Sequence, residues 1–175
     1  MKRLIVFLPL VVLAALALLF AGYALKHDPT VKPAALVGKP VPDVTLPRLD
    51  GAGSAKLRTA LQGKPTFVNL FASWCAPCVE ENPALLAMKA QGANIIGIAY
   101  EDEPNASKLF LTKLGDPFAT VLTDRDGRAG IEFGISGVPE TFLVGKDGVI
   151  IAKHIGPMTP AVADELMEKA EAASR

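Results

Sequence analysis

Hydrophobic and polar positions in this chain follow several distinct rhythms. From Leu4 to Leu25 no residue is charged, and these 22 residues at about 1.5 Å each predict a helix of roughly 33 Å, enough to cross a bilayer core. Further on, Thr66 to Phe71 and Asn94 to Tyr100 are short, apolar, β-rich runs that predict strands buried on both faces. Ala76 to Gln91 carries Val79, Leu85, Leu86 and Met88 at helical spacing and ends at Gly92, and Pro104 to Leu114 reads as a helix stopped by Gly115. Strand alternating with helix is the pattern of a parallel sheet. The last third changes: Thr141 to Val144 and Val149 to Ala152 predict a hairpin across Lys146-Asp147-Gly148, and Ala161 to Ala173 predicts a closing amphipathic helix. Ahead of all this, Val41 to Arg48 has prolines at 40, 42 and 47 around it and predicts extended chain, at most an edge strand. Leu57 to Leu61 has room for one helical turn.

This patterning divides the chain into an N-terminal transmembrane signal anchor (1–25), a polar, proline-containing linker (26–35) and one exported α/β domain (36–175). Met1-Lys2-Arg3 puts positive charge on the cytoplasmic side. The alternative is a cleaved signal peptide, with Gly22-Tyr23-Ala24 as the small-residue site, but such peptides have apolar regions of only about 7 to 15 residues. In either case the domain lies where disulfides can form. Setting aside Lys2 and Arg3 leaves 16 Lys and Arg against 18 Asp and Glu, a near-neutral surface with no basic stripe to suggest nucleic acid.

The candidate chemistry follows the first predicted strand. Trp74-Cys75-Ala76-Pro77-Cys78 holds the only two cysteines, three positions apart at the start of a predicted helix. Free N–H groups and the dipole at that end stabilise a thiolate on Cys75, which makes Cys75 the nucleophile and Cys78 the resolving thiol. Three alternatives fit less well. A structural bridge across so short a loop constrains the unfolded chain little. Zinc needs more ligands than this pair, with only His27 and His154 in the chain, supplies. Haem attachment needs a histidine where Val79 stands. A second feature is Ser136-Gly137-Val138-Pro139-Glu140-Thr141, read either as a plain turn before a strand or as a cis Val138-Pro139 peptide that offers the Val138 backbone as a docking edge for a disulfide peptide. Asp124-Arg125-Asp126-Gly127 resembles the opening of a calcium loop but lacks the later ligands, and reads as a turn.

Trp74 to Cys78, Pro83 as a helix kink, and Gly137-Val138-Pro139 ahead of the hairpin together resemble the thioredoxin superfamily, over roughly Leu36 to the C-terminus. Phe67 to Cys75, Tyr100-Glu101-Asp102, Leu114 to Phe118 and Pro139 to Leu143 are similar to a narrower group, the membrane-anchored thiol:disulfide interchange proteins of the DsbE/CcmG type. Glu140 is the most discriminating residue; Val138, where alanine is more frequent, departs from the pattern. The resemblance implies a thioredoxin-like fold, a central mixed β-sheet flanked by helices, and a periplasmic reductase on the inner membrane. It implies catalytic roles for Cys75, Cys78, Glu81 and Glu140 and substrate docking at Trp74, Val138 and Pro139. It places the acid that general thioredoxins carry at the position of Asn69 on Glu81 instead, with Glu140 beside the cis-proline. Two carboxylates near the sulfurs would raise one another's pKa and accept a proton from Cys78. The alternative for Glu81 is a solvated residue favoured in the first helical turn; Glu80 is expected to face solvent.

The same resemblance implies, as substrate, an apocytochrome c with a disulfide in its haem-binding CxxCH motif, or its carrier. Electrons would come from a DsbD/CcdA-type transmembrane donor, with no cofactor and no metal. Rival functions are a related anchored reductase with other substrates, a peroxidase of similar fold, for which Ala72 stands where the threonine should be, and a non-catalytic binding module.

Overall fold

The computed structural model describes residues 11–19, 22, 36–61 and 63–175. Much of the expected anchor and the whole of the linker lie outside these residues, and among the described ones no helix is long and apolar enough to cross a membrane. From residue 36 onward the chain order is β1 (Thr45–Pro47), β2 (Ser54–Lys56), α1 (Leu57–Ala60), β3 (Thr66–Phe71), α2 (Ala76–Ala90), β4 (Ile95–Tyr100), α3 (Pro104–Leu114), β5 (Thr120–Asp124), α4 (Arg128–Phe133), β6 (Glu140–Val144), β7 (Ile150–Ile155) and α5 (Pro160–Ser174).

Five strands form one sheet in the order β5-β4-β3-β6-β7, and β1 and β2 make a separate hairpin. β3 pairs parallel with β4, and β4 with β5, whereas β6 runs antiparallel to both β3 and β7. The crossovers β3-α2-β4 and β4-α3-β5 step the same way across the sheet, so their right-handedness places α2 and α3 on one face. The buried apolar residues agree. Phe67, Phe71, Ile95 and Leu143 share a cluster with Leu85 and Met88 of α2, Phe110 of α3 and Leu166 of α5. On the other face Val68, Leu70, Ile98 and Phe142 share a cluster with Leu57 of α1 and Phe133 of α4. β3 is buried at every position because it is the middle strand and both its faces are covered.

One expectation is corrected by packing, and two elements go unpredicted. Val79, counted among the apolar positions of α2, is exposed, and the buried stripe of that helix runs instead through Cys78, Glu81, Asn82, Leu85 and Met88. Glu81 and Asn82 are polar, so hydrophobic periodicity could not reveal which face turns inward. The hydrophobic pattern also gives no sign of β5 and α4. β5 exists because β4 and the Arg48–Leu49 segment hydrogen-bond to it. α4 starts where the Asp124 carboxylate accepts the N–H groups of Ala129 (3.0 Å) and Gly130 (2.8 Å), so the turn expected at Asp124 to Gly127 also caps a helix.

Gly97 is required by close approach. A Cβ at Gly97 of β4 would lie 2.8 Å from the Phe118 ring, which is itself stacked on Phe71 with centroids 4.9 Å apart. Gly97→Ala is therefore expected to lower the unfolding free energy by about 1–3 kcal/mol through overpacking, read from the midpoint of chemical denaturation. An unshifted midpoint would mean that the Phe71–Phe118 stack yields freely.

Candidate redox site

β3 ends at Phe71, and the next four residues carry the chain to the start of α2. Asp102, two residues past the end of β4, fixes this connection. Its carboxylate accepts the Ser73 N–H (2.8 Å) and hydroxyl (2.7 Å), and also the Glu103 N–H (2.9 Å) and Ser107 hydroxyl (2.7 Å). Trp74 is 60% exposed and donates its indole N–H to the Glu101 carbonyl at 3.2 Å. Cys75 follows as the N-cap of α2, with Pro77 in the first turn, where a missing N–H removes no helical hydrogen bond.

Cys75 and Cys78 are joined as a disulfide with their Cα atoms 5.3 Å apart. Both are buried in this oxidised form, so the expected difference between nucleophile and resolving thiol does not lie in surface area. It lies in what surrounds each. Cys75 Sγ accepts the Cys78 N–H at 3.2 Å, a first-turn donor that it shares with the Cys75 carbonyl and that favours negative charge on that sulfur. Its other neighbour is the Val138 carbonyl oxygen, 3.5 Å away. The Val138-Pro139 peptide is cis.

Beneath the sulfurs is a polar cluster. Glu81 stands one turn after Cys78 on the same buried face of α2 and is 1% exposed, which removes the reading of it as a solvated first-turn residue. Asn69 Nδ2 donates to Glu81 Oε1 (2.9 Å) and to the Thr141 hydroxyl (3.0 Å), and the Met158 N–H donates to Glu81 Oε2 (3.0 Å). Burial pushes the Glu81 carboxyl up to about 7, while the two donors pull it partly back. Thus Asn69 and Glu81, the two positions weighed for the buried acid, lie in one hydrogen-bonded pair. Glu80, as expected, is exposed.

Glu140 does not join this cluster, which corrects the expectation of two carboxylates facing the sulfurs. In the β3–β6 register Asn69 is opposite Thr141 and Leu70 opposite Glu140, so pleat alternation sends Asn69 and Thr141 to the sulfur face and Glu140 to the other. There the Glu140 Oε1 accepts the Ser136 N–H (2.8 Å) and hydroxyl (2.7 Å), and Oε2 lies 2.7 Å from the Lys153 ammonium. That second contact is a charge pair without a directed hydrogen bond. Asn69, Thr141, the Met158 amide and Lys153 were not singled out from sequence for these roles. Only Asn69 left a signal, a polar residue inside an otherwise apolar strand.

The position of Glu81 gives a pH test. Its carboxyl titrates near 7 in the fold against 4.5 as a free group, so as pH rises the unfolded chain ionises it first. The stability this group contributes is fully present below about pH 4.5 and is lost as pH climbs through 7, about 3 kcal/mol in all. The difference in unfolding free energy between oxidised wild type and Glu81→Gln should therefore shrink or reverse by that amount from about pH 4 to 8. A difference independent of pH would show that Glu81 ionises normally.

Comparison with known proteins places this geometry. The sequence profile of the Redoxin family matches residues 36–170. The chain is 39% identical over 170 residues to the thiol:disulfide interchange protein DsbE of Escherichia coli K12, covering 94% of this chain and 92% of that one. It is 37% identical over 164 residues to the thiol:disulfide interchange protein HelX of Rhodobacter capsulatus, covering 93% and 92%. The crystal structure of a thiol:disulfide interchange protein of the thioredoxin family from Chlorobium tepidum superposes with a TM-score of 0.63 at 26% identity, over 82% of this chain and 99% of that one. The fold is therefore thioredoxin-like, and the chain belongs to the Redoxin family and, within it, to the DsbE thiol:disulfide interchange proteins, disulfide oxidoreductases with a Cys75–Cys78 redox pair.

Proposed function

We propose that this protein is a periplasmic reductase, held at the inner membrane by its N-terminal segment, that reduces the disulfide of an apocytochrome c CxxCH motif or of its carrier. The observation that carries the reading is the buried Glu81 behind Cys78. A carboxylate beneath the sulfurs disfavours thiolates, so it weakens the dithiol as a stable state and makes the couple a better electron donor. The stretches from Phe67 to Cys75 and from Pro139 to Leu143 support the cytochrome reading by their likeness to the DsbE/CcmG type. The uncharged run from Leu4 to Leu25 after Lys2-Arg3 supports the anchor.

In the reaction the Cys75 thiolate, favoured by the helix N-terminus, attacks one sulfur of the substrate disulfide. A mixed disulfide forms and the other substrate sulfur leaves as a thiolate, which takes a proton from water. The substrate segment lies along the Val138 backbone beside the cis-proline, against exposed Trp74. Cys78 then gives its proton to Glu81 and attacks Cys75 Sγ. The second substrate sulfur leaves as a thiolate and takes a proton from water, and two electrons have passed to the substrate, leaving the Cys75–Cys78 disulfide seen here. A transmembrane thiol donor of the DsbD/CcdA kind restores the dithiol.

Three measurements test this. Cys75→Ser should lose reductase activity on a CxxCH disulfide peptide, and Cys78→Ser should accumulate the mixed disulfide. The Cys75/Cys78 couple, equilibrated with glutathione, should lie at about −200 mV or below, well under the roughly −120 mV of a strong oxidant. Glu81→Gln should lower the Cys78 thiol pKa by about one unit. A strongly oxidising potential would make the protein an oxidase, and an unmoved Cys78 titration would remove the proton-acceptor role of Glu81.

A further inference from the structure

The Glu140–Lys153 pair is the buried charge that the exchange chemistry does not use. Both side chains are almost wholly buried, 1% and 3% exposed, on the sheet face away from the sulfurs. A buried ion pair is seldom more stabilising than apolar residues of the same volume, so its presence asks for a role besides stability. What it holds suggests one. Lys153 Nζ lies 2.7 Å from Glu140 Oε2, donates to the Gly134 carbonyl (3.3 Å) and sits over the Phe142 ring, 5.1 Å from its centroid. Glu140 Oε1 meanwhile receives both the N–H and the hydroxyl of Ser136. One cation on the edge strand β7 and one carboxylate at the start of β6 therefore grip both ends of the turn Gly134–Ser136. The next residues are Gly137, Val138 and the cis Pro139, and the Val138 carbonyl is the group 3.5 Å from Cys75 Sγ.

We propose that Lys153 is a positioning residue for disulfide exchange: through Glu140 it fixes the 134–138 loop, so that the Val138 backbone is presented as a rigid edge to the polypeptide whose disulfide Cys75 attacks. This rests on the reading of Val138 as the docking edge. It gives the buried Glu140 a task that does not need its carboxylate near the sulfurs. Rigid presentation lowers the cost of ordering a loop at each encounter, so the effect belongs to peptide substrates and not to small disulfides.

Lys153→Met alone would leave Glu140 buried without its counter-charge and is prone to unfold. The informative variant is Lys153→Met with Glu140→Gln, which removes both charges, keeps the volumes close and leaves an amide oxygen to accept from Ser136. In a Cys78→Ser background, the rate of mixed-disulfide formation is measured with a disulfide-bonded CxxCH peptide and with a small aromatic disulfide, together with the pH dependence of Cys75 alkylation. The peptide rate should fall roughly tenfold or more, while the small-disulfide rate stays within about twofold and the alkylation profile does not move. An unchanged peptide rate would reduce the pair to a structural role and overturn the proposal. A parallel loss of both rates with a shifted alkylation profile would also overturn it, by placing Glu140 in the sulfur chemistry. Hydrogen exchange at the Val138 N–H in the trapped wild-type complex separates the two layers of the argument. No protection there overturns the docking reading itself, whereas protection in wild type with equal peptide rates in both proteins overturns only the part assigned to Lys153.

Discussion

The two-residue period of the central strands decides which side chains meet the sulfurs. β3 and β6 lie side by side in a register that puts Asn69 opposite Thr141 and Leu70 opposite Glu140. Because successive side chains of a strand point to opposite faces, a slip of one residue would exchange the two sets. The apolar residues hold the register: Phe67, Phe71 and Leu143 are committed to one core and Val68, Leu70 and Phe142 to the other. The polar residues interleaved among them have no choice of side. The redox chemistry thus depends on hydrophobic packing that contains none of the reacting groups.

Around the disulfide, two electrostatic influences oppose one another. The start of α2 offers the Cys78 N–H to Cys75 Sγ, and that end of a helix favours a thiolate. Deeper in the same helix, Glu81 brings a carboxyl whose own ionisation is held back to about 7 by burial. Its hydrogen bonds from Asn69 and the Met158 amide come from β3 and from the approach to α5, so three separate segments set one titration. On the proposed mechanism Cys75 attacks and Glu81 takes the proton of Cys78. Such a division of labour suits a two-step exchange.

The frame around the pair is built by side chains gripping backbone. Asp102 collects four donors and ties the Ser73–Trp74 connection to the end of β4. Across the site, Glu140 and Lys153 hold the turn that leads to the cis-proline. Loops need such anchors because, unlike strands, they have no ladder to satisfy and orient their peptide groups.

Periodicity and breakers were enough to read β3, α2, β4, α3, the final hairpin and the closing helix, since each has a run of apolar residues and several end at a glycine or turn. The Cys75–Cys78 pair was legible for a different reason: two sulfurs one helical turn apart constrain their own geometry. β5 and α4 were not legible, being short and dependent on pairing with distant chain or on the Asp124 cap. Nor could sequence alone distinguish Glu81 from Glu140, two acids each near a motif. Only the tertiary structure did, by turning one helix face inward and by pleating one strand so that its first carboxylate points away. Local spacing determines which groups are near in sequence and on which repeat they stand; which of them share a buried space is settled by register and face, properties of the assembled sheet that no single segment contains.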